Sequence, residues 1–284
     1  MPISSLRKTD LNSGWEARLE LVLKREKNKT VIRDRKTFGP LQIQKPFYPD
    51  KDGRCHVYIL HPPGGVVGGD QFEVAINVGP NAVALITTPA ACKFYRSSGP
   101  LASQTQEIKL APSGVLEWFP LENIFFSGAK VKLKTRVHLA RESYFFGWDI
   151  CCLGRPASGE KFDRGTLDQR FEIWCQGKPI RLERFLIKGN DWTLQERWGL
   201  ANKPVVASFF CFTSQKDLIH LLRQTIAFPE NGDYFSLTFL NEIILCRYLG
   251  NSVEKAKELF IMVWKTLRGA LLSKQAVTPR IWNT

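Results

Sequence analysis

Hydrophobic and polar residues alternate with a period of two through most of the first two thirds of the chain. Trp15–Lys24 sets Ala17, Leu19, Leu21 and Leu23 on one face, and Arg54–Leu60 does the same with Cys55, Val57 and Ile59. The segments Phe72–Val78, Ala82–Thr87, Gln104–Leu110, Val115–Phe119, Lys130–Leu139, Ser143–Cys151 and Leu167–Cys175 read in the same way. Successive side chains of a strand point to opposite faces, so each segment predicts a strand. Turn formers fill the gaps, as at Gly79-Pro80-Asn81, Gly99-Pro100, Pro112-Ser113-Gly114 and Gly177-Lys178-Pro179.

Two later windows change period. Ser214 and Asp217 resemble a capping box ahead of Leu218, Leu221, Leu222 and Ile226, with Pro229 as the stop. Asn251-Ser-Val-Glu254 opens a second helix, with Val253, Ala256, Leu259, Phe260, Val263, Leu267 and Leu271 at helical spacing. The sequence shows no internal repeat, low-complexity tract or long linker. Residues 1–284 therefore read as one mostly-β domain of layered or coiled sheets, with two α-helices in the C-terminal half.

Composition sharpens this. The 284 residues are 44% hydrophobic and 24% charged, which is ordinary for a soluble globular chain. The longest apolar run, Leu259–Trp264, is far too short to span a bilayer. The first twenty residues carry Arg7, Lys8, Asp10, Glu16, Arg18 and Glu20 without an apolar stretch, so a cytoplasmic protein is expected. Seven cysteines with no Cys-x-x-Cys spacing argue against a disulfide framework or a zinc ribbon.

The net charge of +13 is concentrated in residues 24–36, 128–141 and 251–284. Lys130, Lys132, Lys134 and Arg136 share one strand face. They suit either a solvated edge strand or docking of an acidic protein. No nucleic-acid-binding motif accompanies the charge.

Candidate chemistry is sparse. His61-Pro-Pro-Gly-Gly-Val-Val-Gly-Gly-Asp70 contains Gly64, Gly65, Gly68 and Gly69, but matches neither phosphate-binding glycine pattern. A tight corner between strands is the expectation. The four histidines, His56, His61, His138 and His220, form no local ligand set, so no tight metal site is expected. No nucleophile elbow or other catalytic constellation is present. Carboxylates in apolar runs stand out: Asp70, Glu117, Glu122 and Asp149. Each is either paired when buried, with Arg96 or Arg155 as candidates, or part of a water-lined path or an acid/base pair.

Several blocks resemble the UreD (UreH) family of urease accessory proteins. They are His61–Asp70, Thr87-Thr-Pro-Ala-Ala-Cys-Lys-Phe-Tyr-Arg-Ser97, Leu116-Glu-Trp-Phe-Pro-Leu-Glu-Asn-Ile-Phe-Phe126, Trp148-Asp-Ile-Cys-Cys-Leu-Gly-Arg-Pro156 with Gly159-Glu-Lys-Phe162, and Pro279-Arg-Ile-Trp-Asn-Thr284. The resemblance runs in register from about residue 15 to the C-terminus. It implies a β-helix-like stack of short strands and a cytosolic chaperone for nickel insertion into urease. In such a system the protein joins UreF and the GTPase UreG in a hetero-oligomer that docks on the urease apoprotein. Ni²⁺ is then a transient cargo, GTP belongs to UreG, and no cofactor stays bound to this chain.

The resemblance further implies an internal tunnel, which makes Asp70, Glu117, Glu122, Asp149 and Glu160 the expected path residues. Thr87, Thr88, Arg96 and Arg155 are their motif neighbours, and Gly64, Gly65, Gly68 and Gly69 are the motif glycines. Cys92 stands where a small residue is expected, as an inert thiol or a soft transient ligand. The late helices and residues 251–284 are expected to meet UreF. Two other readings belong to different classes. A basic binding protein for nucleic acid or an acidic protein would show steep salt dependence, and a β-solenoid hydrolase would show turnover on its own.

Overall fold

The computed structural model describes residues 14–229 and 232–283. Met1–Ser13, with the Arg7, Lys8 and Asp10 used above, lie outside it, as do Glu230, Asn231 and Thr284. In chain order the strands begin with β1 (Glu16–Glu26), β2 (Lys29–Phe38), β3 (Gln42–Ile43), β4 (Cys55–Leu60), β5 (Gln71–Val78) and β6 (Val83–Thr87). Then come β7 (Cys92–Phe94), β8 (Ala102–Leu110), β9 (Val115–Phe119), β10 (Asn123–Phe125), β11 (Lys130–Leu139) and β12 (Tyr144–Leu153). The rest are β13 (Thr166–Cys175), β14 (Lys178–Lys188), β15 (Val205–Phe212), α1 (Leu218–Thr225), β16 (Tyr234–Leu240), β17 (Ile243–Gly250) and α2 (Val253–Leu272).

From β4 to β13 the long strands alternate between two sheets. One has seven strands in the order β14-β13-β11-β8-β5-β1-β2, and the other has ten, with β16-β17-β15-β12-β9-β6-β4-β3 as its main path. Each turn of the chain adds one parallel strand to each sheet, which makes a stacked coil of the β-solenoid kind. The short strands β7 and β10 form a third side, where the rings of Phe94 and Phe125 stack at 5.1 Å. This repeat is geometric only. Different residues fill equivalent corners, so the sequence hides it.

Two cores follow from the layers. Leu19, Leu21, Val74, Ile76, Ile108, Leu133 and their neighbours fill the space between the sheets. Phe119, Trp148, Phe209, Phe260, Trp264 and Trp282 pack between the larger sheet and the helices. The larger sheet is thus covered on both faces, and all five residues of β9 are buried. That double burial explains why β15 and β17 escape a period-2 search, since Val205–Phe212 is apolar on both sides. Strand β2 escapes for the opposite reason, as an edge strand whose second half is exposed and polar on both faces.

Two expectations are corrected. Strand β11 lies inside its sheet, between β8 and β13, so Lys130, Lys132, Lys134 and Arg136 do not guard an edge. They project from the outer face because Val131, Leu133, Thr135 and Val137 are turned inward. The Ser214 capping box does not form either: α1 starts from Asp217, whose side chain caps nothing. Helix α2 does carry its expected cap, with the Ser252 hydroxyl accepting from the Lys255 N–H at 3.1 Å. Among the described residues no helix is long and apolar enough to cross a membrane.

Candidate functional site

Inward-facing slots of the coil are not all apolar. On β8, Gln104 and Gln106 take the face that Ile108 and Leu110 use further along, and on β13 Gln169 sits between Leu167 and Phe171. Strand pairing sets Gln104, Leu133 and Gln169 in one row and Gln106, Thr135 and Phe171 in the next. The Thr135 hydroxyl donates to Gln106 Oε1 at 2.7 Å. From the opposite sheet, Asp149 on β12 and Asn123 at the start of β10 face these amides.

These groups line a cavity of about 220 Å³ between the sheets, with Thr88, Cys92, Lys93 and His61 at its other walls. A second cavity of about 820 Å³ lies on the far side, toward β14, β16 and β17. Asp149, Gln169 and Phe171 line both cavities. Asp149 is therefore the carboxylate at the junction of two internal spaces.

Its hydrogen-bond partners are neutral amides. The Gln169 amide donates to Asp149 Oδ2, while Gln169 Oε1 accepts from the Cys151 thiol at 2.9 Å. Asp149 keeps some accessible surface as a cavity-lining residue, yet it lies deep among protein atoms. That depth pushes its carboxyl up to about 7, and the charge of Glu183 adds to the shift. Hydrogen bonds from Asn123 and Gln169 act in the opposite direction. Among the described residues no arginine or lysine neutralises it by a salt bridge, in contrast to most buried carboxylates. Burial also drives the Cys92 thiol up to about 12 and the Cys151 thiol well above its ordinary value. The thiolate is the form that ligates metals, so both cysteines stay protonated and weak as ligands at neutral pH.

The other expected path residues are not gathered here. Asp70 closes the glycine corner: Oδ1 accepts from the Trp15 N–H at 2.7 Å and Oδ2 from the Val67 N–H at 2.9 Å. That corner joins β4 to β5, as its composition predicts. Gly64 and Gly69 turn the chain there in the left-handed region, at φ +75° and +95°, where a side chain would be strained. The Gly69 N–H also donates to the Leu101 carbonyl at 3.2 Å, tying the corner to the start of β8. At Gly65 and Gly68 the limit is space, because a Cβ would strike the Tyr95 ring or the Ser97 hydroxyl. Of the four, only Gly64 reaches the smaller cavity; Gly65, Gly68 and Gly69 line neither cavity and serve the turn alone.

Glu117 faces the helices and lines neither cavity. Trp264 Nε1 donates to it at 2.8 Å, and Arg54 and Arg268 pair with it at 3.2 and 3.3 Å. Arg268 also pairs with Asp50, which holds His56 Nε2 at 2.7 Å. The buried partners of Glu117 are thus Arg54 and Arg268, not the expected Arg96 or Arg155. Glu122 accepts the Cys92 N–H on its backbone oxygen at 2.9 Å, and its carboxylate lies near Cys152, which packs in the helix-side core.

Glu160 sits on the surface, paired with Arg155 Nε at 2.9 Å and accepting from the Ser127 N–H at 2.9 Å. Arg155 also covers the Phe126 ring, and the stem of Arg96 packs against Gly128. Of the threonines, Thr88 reaches the smaller cavity. Thr87 accepts from Trp282 Nε1 at 2.8 Å on the helix side. The apolar stripe of α2 packs into the helix-side core, while Met262 on α2 and Leu221 on α1 stay exposed. Among the described residues, no group of three or more His, Cys, Asp or Glu side chains is arranged to hold a metal ion.

Sequence reasoning passed over Gln104, Gln106, Asn123, Thr135, Gln169 and Glu183. A signal existed for three of them: Gln104, Gln106 and Gln169 occupy positions whose parity along the strand demands a buried side chain.

Fold and cavity together define a class, a two-sheet β-solenoid with helices on one flank and a polar space inside the coil. The profile of the family described as "UreD urease accessory protein" matches residues 16–283. The chain is 42% identical to urease accessory protein UreD 2 of Brucella anthropi over 96% of its own length and all of that protein. It is also 42% identical to urease accessory protein UreD of Alcanivorax borkumensis, over 97% of this chain and 95% of that one. The UreD of Klebsiella aerogenes is 38% identical over 96% of this chain and 98% of that protein. This chain belongs to the UreD family of urease accessory proteins.

Proposed function

We propose that this chain is a non-catalytic chaperone that passes Ni²⁺ to urease, with the ion travelling through the coil past Asp149. In this reading it works in the cytoplasm, in a hetero-oligomer with UreF and the GTPase UreG that docks on the urease apoprotein. Ni²⁺ is cargo, and no cofactor remains bound.

The observation that carries the reading is the position of Asp149 between the two cavities, with amides and protonated thiols around it. A conducting path must release what it binds. Divalent nickel suits nitrogen and sulfur donors, so a closed set of imidazoles and thiolates would retain it. One carboxylate with neutral amide oxygens nearby would bind it briefly. Asp149 is fixed on a strand, and the ion can exchange for the carboxyl proton at near-neutral pH. Glu183, lining the larger cavity, is the second carboxylate on the route. Asp70, Glu117, Glu122 and Glu160 are given no part in it.

The test is urease activation at fixed nickel in a host supplying the structural and other accessory genes, with this gene intact, deleted or carrying Asp149→Ala. Activation should need the gene and should fall in the variant while the complex with UreF and UreG still assembles. Full activation by Asp149→Ala would sink the path through the cavity.

A further inference from the structure

Four strands end the two sheets, and three of them are guarded against pairing with another chain. Strand β2 carries Arg33, Asp34, Arg35 and Lys36 on its exposed half, β14 carries Pro179 with Arg181, Glu183 and Arg184, and β3 is only two residues long. Strand β16, at the end of the ten-stranded sheet, has none of these protections. Its seven residues, Tyr234-Phe-Ser-Leu-Thr-Phe-Leu240, contain no charge and no proline, and its register with β17 runs unbroken. An uncharged, regular edge strand is a template for a further strand.

The backbone of β16 shows what that template offers. The β16–β17 hairpin closes on Leu240 and Ile243, across Asn241 and Glu242 in the left-handed region at φ +50° and +61°. In such a two-residue hairpin the closing pair exchanges both backbone hydrogen bonds, and every second pair beyond it does the same. Tyr234, Ser236, Thr238 and Leu240 therefore direct their backbone groups to β17. Phe235, Leu237 and Phe239 turn theirs to the open side, and among the described residues no other backbone group meets them there. Three N–H donors and three carbonyl acceptors stand in a row.

We propose that β16 pairs antiparallel with β16 of a second copy of this chain, about a twofold axis through Leu237. The strand reads nearly alike in both directions from that residue: Ser236 and Thr238 flank it, then Phe235 and Phe239, then Tyr234 and Leu240. The pairing sets Leu237 against Leu237 of the second copy, Phe235 against Phe239, Ser236 against Thr238 and Tyr234 against Leu240. Aromatic, hydroxyl and apolar side chains match at each step, and no charge meets a like charge. The same register sets Phe235, Leu237 and Phe239 opposite the outward groups of the second copy, so all three donors and three acceptors find partners. A strand from a different protein needs no such symmetry, whereas an isologous contact does, so the occupant is this chain itself.

The exposed side chains set the strength of the contact. Tyr234 and Leu240 are half exposed, and the half-exposed ring of Phe228 meets Phe235 edge-on with centroids 5.7 Å apart. Over two copies these three side chains offer roughly 500 Å² of surface, before the backbone is counted. A standard stable interface buries about 1,600 Å², so this is a dimer that forms and parts with concentration. Tyr234, Phe235 and Ser236 also line the larger cavity, so the twofold axis runs beside its wall. The pairing does not depend on the nickel reading.

The test is sedimentation velocity of the purified full chain, without nickel, over a range of concentrations. The wild type should pass from monomer to dimer as concentration rises. Ser236 and Thr238 are exposed, and the pairing sets them against each other. Ser236→Lys with Thr238→Lys should therefore weaken the dimer about tenfold, the scale of two like-charged cross-strand pairs, and Ser236→Glu with Thr238→Glu should do the same. An equimolar mixture of the basic and acidic variants should restore it. Amide hydrogen exchange across Tyr234–Leu240 of the wild type should also slow as concentration rises, and it decides alone if either variant melts well below the wild type. A wild type that stays monomeric, or exchange that ignores concentration, overturns the pairing. A dimer that both variants keep uses another face and overturns it too, as does a mixture of folded variants that stays monomeric. Exchange that slows only when UreF and UreG are added gives the edge to a partner instead of a second copy.

Discussion

Glu117 and Asp149 lie on adjacent parallel strands of one sheet, yet they are built for opposite purposes. Glu117, on β9, points to the helices and receives Trp264, Arg54 and Arg268. Asp149, on β12, points between the sheets and receives two amides. The first charge is matched by fixed cations, so it pins α2 to the sheet. The second, at the junction of two cavities, has no counter-cation among the described residues. Depth in the molecule is common to both, and what separates the structural ion pair from the carboxylate proposed for the ion's path is the kind of partner each finds.

The largest expected effect falls on the matched charge. Glu117→Gln leaves Arg54 and Arg268 with one carboxylate fewer in a dry layer, and should cost about 3–5 kcal/mol. The loss should appear as a lowered urea midpoint with unchanged slope. A loss below about 1 kcal/mol would break the comparison, because it would mean that water reaches the cluster.

Asp149→Asn should do the reverse. The folded state raises this carboxyl from 3.8 to about 7, so the native protein holds its proton longer than the unfolded chain. Wild-type stability therefore declines as pH rises between those values and is level above them. The asparagine variant lacks that slope. It should match the wild type near pH 4 and exceed it at about pH 8, by on the order of 4 kcal/mol. Thermal melts at the two pH values check this. A gap of the opposite sign would mean that Asp149 gains a cation partner in solution.

Much of this was legible in the sequence. Period-2 runs located β1, β5, β11 and β13 of the seven-stranded sheet because one face of each is wet, and α2 was marked by its cap and spacing. The parity of Glu117 was not legible. Val115–Phe119 is buried on both faces, so alternation cannot say which core receives the carboxylate. Its partners Arg54 and Arg268 lie far away in sequence, as do the amides around Asp149. Family-like blocks such as Trp148–Pro156 contain Asp149 but do not say which carboxylates meet. Glu183 went unread because β14 is an edge strand, where polar residues on both faces erase the pattern.

Gln169→Leu sharpens the cavity side of the comparison with a smaller effect. It removes the donor to Asp149 and the acceptor for Cys151 while keeping similar volume. The expected cost is about 1 kcal/mol by urea titration, because one hydrogen bond to a buried carboxyl is lost and the cavity can admit water in its place. With the amide gone, the Asp149 carboxyl should titrate higher still, since that hydrogen bond now holds it down. A stability gain at low pH alone would assign Gln169 a purely spacing role.

The smallest effect should come from Glu160. Arg155 and the Ser127 N–H hold its carboxyl below the usual range, but the pair is open to solvent and screened. Glu160→Gln should change stability by less than about 0.5 kcal/mol and leave urease activation as it was. Thermal melts and the activation assay check both halves. The second half matters more. Glu160 belongs to the same family-like stretch as Asp149 but lies outside the coil, so an internal route makes it dispensable. A folded Glu160→Gln variant that fails to activate urease would place the ion on the outer surface, and would remove the reason for reading the unpaired Asp149 as a way through.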